Sequence, residues 1–70
     1  MDALIDRNGV EINDGDTVDV GSPRRTDNYE NEFRGTVVDI YDDGSKDGII
    51  CVCDAEGDCF DVDADNVEVV

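Results

Sequence analysis

Oxygen-bearing side chains between residues 43 and 54 follow the spacing of a calcium-binding loop. Positions 1, 3, 5, 6 and 12 of that window are Asp43, Ser45, Asp47, Gly48 and Asp54. Oxygen ligands at this spacing wrap a calcium ion, and the glycine permits the sharp turn. Asp54 is shorter than the usual glutamate, however, and the flanking residues favour strands over helices. Calcium binding by Asp43, Ser45, Asp47 and Asp54 is therefore an alternative, and the main prediction is that no cofactor is bound.

The cysteines Cys51, Cys53 and Cys59 are the second group with reactive chemistry. An odd number of cysteines without a secretory signal predicts reduced thiols that pack as small apolar residues. Two alternatives stay open, because Cys51 and Cys53 share one face of an extended strand and Cys59 can approach from a paired strand. They are a cross-strand disulfide and a zinc site completed by a carboxylate. A closed zinc site is not expected without histidine or a second cysteine pair.

Catalytic groupings are not evident in the sequence. A nucleophile needs a neighbouring base, and the chain has no histidine. Pairs of carboxylates do acid–base chemistry in some hydrolases, but 20 acidic residues in a chain of 70 make such pairs uninformative. No glycine-rich phosphate loop opens a helix. The sequence therefore predicts a protein that is not an enzyme.

Charge is the strongest signal in the composition. The 20 acidic residues outnumber five basic ones, which gives a net charge of -15 and a pI near 4.1. This charge repels nucleic-acid phosphates and anionic lipids, so neither is an expected partner, whereas a basic protein is. The chain has no apolar run of roughly 20 residues and no basic, apolar leader, so we expect a cytoplasmic protein.

Short apolar runs between turn residues predict one small all-β domain over residues 1–70. A loop is expected at 21–31 and a helical turn at 64–66. Gly35 predicts a bend or bulge in the longest strand. The near-continuous apolar run at 49–54 predicts a strand that is buried on both faces or bent between two layers. A short opening hairpin is predicted from segments 4–6 and 10–12, because Asn-Gly lies between them. The other predicted strands are 17–20, 32–41, 49–54, 58–63 and 67–70, and the whole suits a strongly bent antiparallel sheet of five to six strands or a small barrel.

Two short motifs resemble those of Src-homology-3-like barrels of the Tudor and KOW types. They are Gly15-Asp16-Thr17-Val18 and the stretch from Phe33 to Ile40, followed late in the chain by a turn before Val67. The resemblance implies the barrel form of the fold. KOW domains contact RNA or ribosomal partners through basic residues, which this chain lacks. Tudor domains bind methylated side chains in an aromatic cage, which is not expected here because two of the four rings belong to the predicted core. The rings are Tyr29, Phe33, Tyr41 and Phe60, of which Phe33 and Phe60 are the core pair.

The acidic surface is the main functional hypothesis. A compact chain of this length is about 28 Å across, and duplex DNA of that length carries about 16 charges. The domain therefore matches the charge of the duplex it would replace, and it is similar in size and charge to small phage-encoded anti-restriction and anti-CRISPR proteins. The expected partner is a basic protein such as a nucleic-acid-binding enzyme, which a DNA mimic would inhibit. The predicted partner-binding residues are Asp39, Asp42, Asp43, Asp61 and Asp63.

The composition also supports a second reading of the charge. Aspartate greatly outnumbers glutamate and lysine is nearly absent, which is typical of proteins adapted to high salt. The alternative is therefore a scaffold or accessory barrel whose acidity reflects its environment. Specific binding of one partner at physiological salt would distinguish the first hypothesis from this one.

Overall fold

The computed structural model describes residues 4–24, 27–41 and 48–70, which form one antiparallel sheet. The sheet has five strands in the order β4-β3-β2-β1-β5. The prediction of a small all-β fold is confirmed. Among the described residues the only helical segment is a 3₁₀ turn, far shorter than the roughly 20 residues of a membrane span. In chain order the elements are β1 (Thr17–Val20), β2 (Phe33–Ile40), β3 (Ile49–Cys53), β4 (Cys59–Asp63), the 3₁₀ turn (Ala64–Asn66) and β5 (Val67–Val69).

The short connection between the two edge strands requires the sheet to curl. In a flat five-stranded sheet β4 and β5 would lie about 19 Å apart, since neighbouring strands are separated by about 4.8 Å. Only the three residues of the 3₁₀ turn join them, and such a turn advances about 2 Å per residue. The two edges must therefore approach each other, as expected for a strongly bent sheet. No ladder between β4 and β5 closes the sheet within the described residues.

The inner face of the curled sheet holds the hydrophobic core. In β3, Ile50 and Val52 are fully buried, whereas Cys51 and the two other outward residues are only half-buried. The prediction that this strand is buried on both faces is therefore wrong, because its side chains alternate between core and surface. The fully buried side chains are Val18, Val20, Val37, Ile50, Val52, Val62 and Val67.

A bulge in β2 lies three residues beyond the predicted position. Val37 pairs with Val52 and Asp39 pairs with Cys51, so the register shifts at Val38. Gly35 has a different role, because a Cβ there would lie 2.5 Å from the Cys53 carbonyl oxygen. The glycine thus permits close approach of β3, while the bulge changes the alternation of side chains. Without the extra residue, Asp39 would share the inner face with Val37.

The hairpin predicted at residues 4–12 is present, but it is reduced to one bridge between Ile5 and Glu11. It lies along the edge of β5, where the Arg7 amide donates to the Val67 carbonyl over 3.1 Å. The buried Asp6 carboxylate also accepts a 2.8 Å bond from the Val69 amide. The hairpin therefore covers the backbone of an edge strand that would otherwise be open to pairing.

Candidate functional site

The outer face is the side of the sheet opposite the core, and it carries the acidic side chains of β1, β2 and β4. Cys51 in β3 pairs with Asp39 of β2 on one side and with Asp61 of β4 on the other. The bulge at Val38 places Asp39 in this row, and both carboxylates are exposed. The structure therefore brings two of the predicted partner-binding residues onto one surface, on either side of the same strand.

Neighbouring groups constrain the acidic side chains of β4 to different extents. The Tyr41 hydroxyl donates to Asp61 over 3.2 Å, and desolvation together with that carboxylate raises the pKa of Tyr41. Asp63, also predicted to bind a partner, accepts a 3.1 Å bond from Arg24. The same guanidinium contacts Asp65 at 2.9 Å. Asp63 is thus already engaged within the domain, and its charge is partly neutralised there.

Each basic residue that the structure describes is paired with an acid. Arg34 bonds Asp19 across β1 and β2 at 2.6 Å, and this contact lowers the pKa of Asp19 and raises that of Arg34. Arg7 bonds Glu68 at 3.0 Å. Together with Arg24, these pairs use every described cation internally. The other carboxylates therefore keep their negative charge, because no described basic side chain is left to neutralise it.

Several predicted site residues lie outside the described part of the chain. These are Asp42 and Asp43 of the partner-binding set, and Asp43, Ser45 and Asp47 of the calcium set. Asp54, the remaining calcium candidate, lies at the opposite end of β3 from Gly48. Its Oδ1 accepts 2.9 Å bonds from the amides of Glu56 and Asp58, so its carboxylate caps the β3–β4 turn. Calcium binding stays a prediction, and the described residues contain no metal-binding cluster.

The cysteines do not form the expected set of three reduced thiols. Cys53 and Cys59 face each other directly across the β3–β4 hairpin and are joined by a disulfide. The reason is the turn register, because the Asp54 amide donates to the Asp58 carbonyl over 2.8 Å and fixes the next pair as the two cysteines. Cys51 lies outside the disulfide. The cross-strand disulfide, one of the two alternatives, is therefore the arrangement found.

An open groove at one end of the sheet is a feature that sequence reasoning missed. It lies between segment 28–33 and the β3–β4 hairpin, with a volume of about 560 Å³. We call it the aromatic groove, because Tyr29, Phe33 and Phe60 line it. The ring centroids are 5.3 to 6.0 Å apart with edge-to-face geometry. The three rings fill the space between them, so they form a continuous apolar floor and not a cage around a ligand.

Hydrogen bonds to Tyr29 fix the loop that forms one wall of the groove. Its hydroxyl donates to the Gly21 carbonyl over 3.0 Å and accepts from Asn66 Nδ2 over 3.0 Å. Asn66 also donates to the Ser22 carbonyl. Burial, followed by the charge of Asp27, raises the pKa of Tyr29, so the hydroxyl stays a neutral donor. A tyrosine in a polar loop gave no sequence signal for this role.

The rim of the aromatic groove is acidic. Within the described part of the chain, the lining includes four carboxylates and no basic side chain. Among the described residues, Glu30, Glu32 and Glu56 have neither a side-chain hydrogen bond nor an ion pair. Two other grooves differ because Arg7 lines one and Arg24 lines the other. The four rim residues are Glu30, Glu32, Asp54 and Glu56.

Comparison with known proteins identifies no relative of this chain. No protein-family model matches it. No curated protein and no solved structure shows significant similarity either.

Proposed function

We propose that this domain is an acidic interaction module that binds a basic protein partner. The observation that carries the proposal is the excess of negative charge: a net charge of -15 on a body measuring 32 × 24 × 20 Å. Each described arginine is held in an ion pair within the domain. A field of this strength steers a cationic partner and accelerates association.

The proposed binding surface includes Asp39 and Asp61 of the outer face, and Asp63 beside them. Asp42 and Asp43 belong to the same proposal on sequence grounds. Asp39 and Asp61 are exposed and lie in one row across β2, β3 and β4. Asp63 contributes less, because Arg24 already bonds its carboxylate.

We also propose which type of small β fold the domain adopts. The strand order, the bulged second strand and the 3₁₀ turn before β5 suit a Src-homology-3-like barrel of the Tudor or KOW type. In such a barrel a curled sheet presents its outer face and its open ends to partners. We propose that this domain uses those surfaces with acidic residues where KOW domains use basic ones.

A second candidate function is DNA mimicry. It is favoured because the net charge of the domain is similar to that of a DNA duplex as long as the domain. A 32 Å stretch of duplex carries about 19 phosphate charges, and the domain carries a net -15. A module of this kind occupies the basic cleft of a nucleic-acid-binding enzyme and inhibits it, as a phage-encoded inhibitor would. Duplex DNA should then compete with the domain for its partner, which a general interaction module does not require.

The test combines capture of the partner with charge reversal. Immobilised domain is exposed to lysate at about 0.15 M salt, where exposed charges are screened beyond about 8 Å, and the captured protein is purified. Asp39→Lys/Asp61→Lys should slow association with that protein about tenfold and flatten its salt dependence, because steering acts on the association rate. Unchanged association would show that the outer face is not the binding surface. Loss of all capture just above this salt concentration would favour the environmental explanation of the charge.

A further inference from the structure

We infer that the aromatic groove binds an arginine side chain from a basic segment of the protein partner. The inference rests on the proposed function, because it assumes a basic partner, and it adds a defined pocket and a defined chemical group. Two properties of the groove carry it: a floor that includes aromatic rings, and a rim to which the described part of the chain contributes four carboxylates and no cation.

The floor suits a planar cation. Phe33 and Phe60 are half-buried, so part of each ring remains open to the groove. Their centroids are 5.6 Å apart, and the buried Tyr29 ring packs against both. A guanidinium group stacks on such rings and is more weakly hydrated than an ammonium group, so it loses less on entering an apolar site. Arginine is therefore favoured over lysine.

The rim supplies the charge that a guanidinium group requires. Glu30 and Glu32 lie on the loop wall, and Asp54 and Glu56 lie on the hairpin wall. Because Asp54 Oδ1 is used in the turn, the glutamates are the better partners for a fork of N–H donors. Carboxylates on both walls complement a cation held between them, whereas they repel an anionic or acidic ligand.

The groove walls are held in place before any ligand binds. The Tyr29 hydroxyl bonds fix the loop wall, and the Cys53–Cys59 disulfide fixes the hairpin wall. A site formed in advance loses less conformational entropy on binding. Contacts within the domain therefore constrain both walls of the groove.

The test is a nuclear magnetic resonance titration of the intact domain with two peptides of equal charge. One is a capped nonapeptide of alternating arginine and glycine, and the other has lysine in place of arginine. At about 0.15 M salt the arginine peptide should shift the amide signals of residues 28–33 and 54–60. It should bind about threefold more tightly than the lysine peptide, because only guanidinium stacks well on the rings.

Two double variants with the same change in net charge separate the groove from general attraction. Glu30→Gln/Glu56→Gln should weaken arginine-peptide binding about threefold to tenfold. The matched control Glu11→Gln/Asp14→Asn should weaken it less than about twofold, because both side chains are exposed and neither lines the groove, so their charges are screened. Phe60→Leu, checked for retained fold by its amide spectrum, should weaken it about twofold to fivefold.

Equal weakening by the two double variants would contradict arginine binding in the aromatic groove, since diffuse charge attraction would then explain the binding. The proposed function would not be affected by that result. Absence of arginine-peptide binding by the wild-type domain would also contradict arginine binding in the aromatic groove. The capture experiment decides the proposed function separately, because it requires a partner and not an arginine in this pocket.

Discussion

Removal of the Cys53–Cys59 disulfide should lower the stability of the domain by an amount that the loop length sets. The two cysteines are separated by 6 residues in sequence. In the chain-entropy treatment a loop of that size removes about 7.4 cal/mol/K from the unfolded chain, or about 2.2 kcal/mol at 298 K. For a domain of this size, each kcal/mol shifts the melting temperature by about 4–8 °C. The expected decrease is therefore about 9–18 °C.

The assay is thermal unfolding followed by circular dichroism, with and without a thiol reductant. Cys53→Ser/Cys59→Ser should melt lower than wild type without reductant and should not respond to reductant. Cys51→Ser is the matched control, because it retains the disulfide and should still lose stability on reduction. Thiol titration of the unfolded, unreduced wild type should detect one thiol per chain. Three thiols, together with a melting temperature insensitive to reductant, would refute the reasoning.

Three further predictions concern a buried carboxylate, a glycine and the net charge. Asp6 accepts hydrogen bonds from backbone amides, chiefly that of Val69, which lower its pKa from the usual 3.8. Its contribution to stability is therefore present above pH 3.8 and is lost as the pH falls through the lowered pKa. Asp6→Asn should therefore destabilise the domain at pH 7 and reduce its loss of stability on acidification; the same acid dependence as wild type in pH-resolved melting would contradict this. Gly35→Ala should cost about 1–3 kcal/mol in denaturant unfolding, because the new Cβ overlaps β3 backbone, and a neutral effect would show that the strands are not this close. Added salt should raise the melting temperature, since it screens the repulsion among 20 acidic residues, and a lower melting temperature in salt would oppose this.

Local sequence signals predicted most of the secondary structure. Short runs of apolar residues located β1 and β4, and the helical turn expected at 64–66 is the 3₁₀ turn Ala64–Asn66. Gly57 in the β3–β4 turn has a φ of +90°, a conformation that glycine adopts readily and other residues rarely do. These features depend on neighbouring residues, so a single sequence contains the information.

Features that depend on distant partners were not predictable from the sequence. Asp6 binds Val69, 63 residues away, and in so acidic a chain nothing distinguished this aspartate from the exposed ones. The bulge at Val38 was assigned to Gly35, because glycine is the visible signal, whereas the actual cause is the register with β3. The disulfide depends on a different register, that of β3 with β4. The aromatic groove combines two elements that only the fold brings together.

The most direct test of the central claim is capture from lysate at about 0.15 M salt, where non-specific charge attraction is largely screened. We expect one basic protein to be held at a one-to-one ratio and to be retained at moderately higher salt. If that protein binds nucleic acid and duplex DNA displaces it, DNA mimicry is favoured over a general interaction module. A diffuse set of basic proteins that is lost with a small increase in salt would contradict the account, because it would show attraction without a binding site.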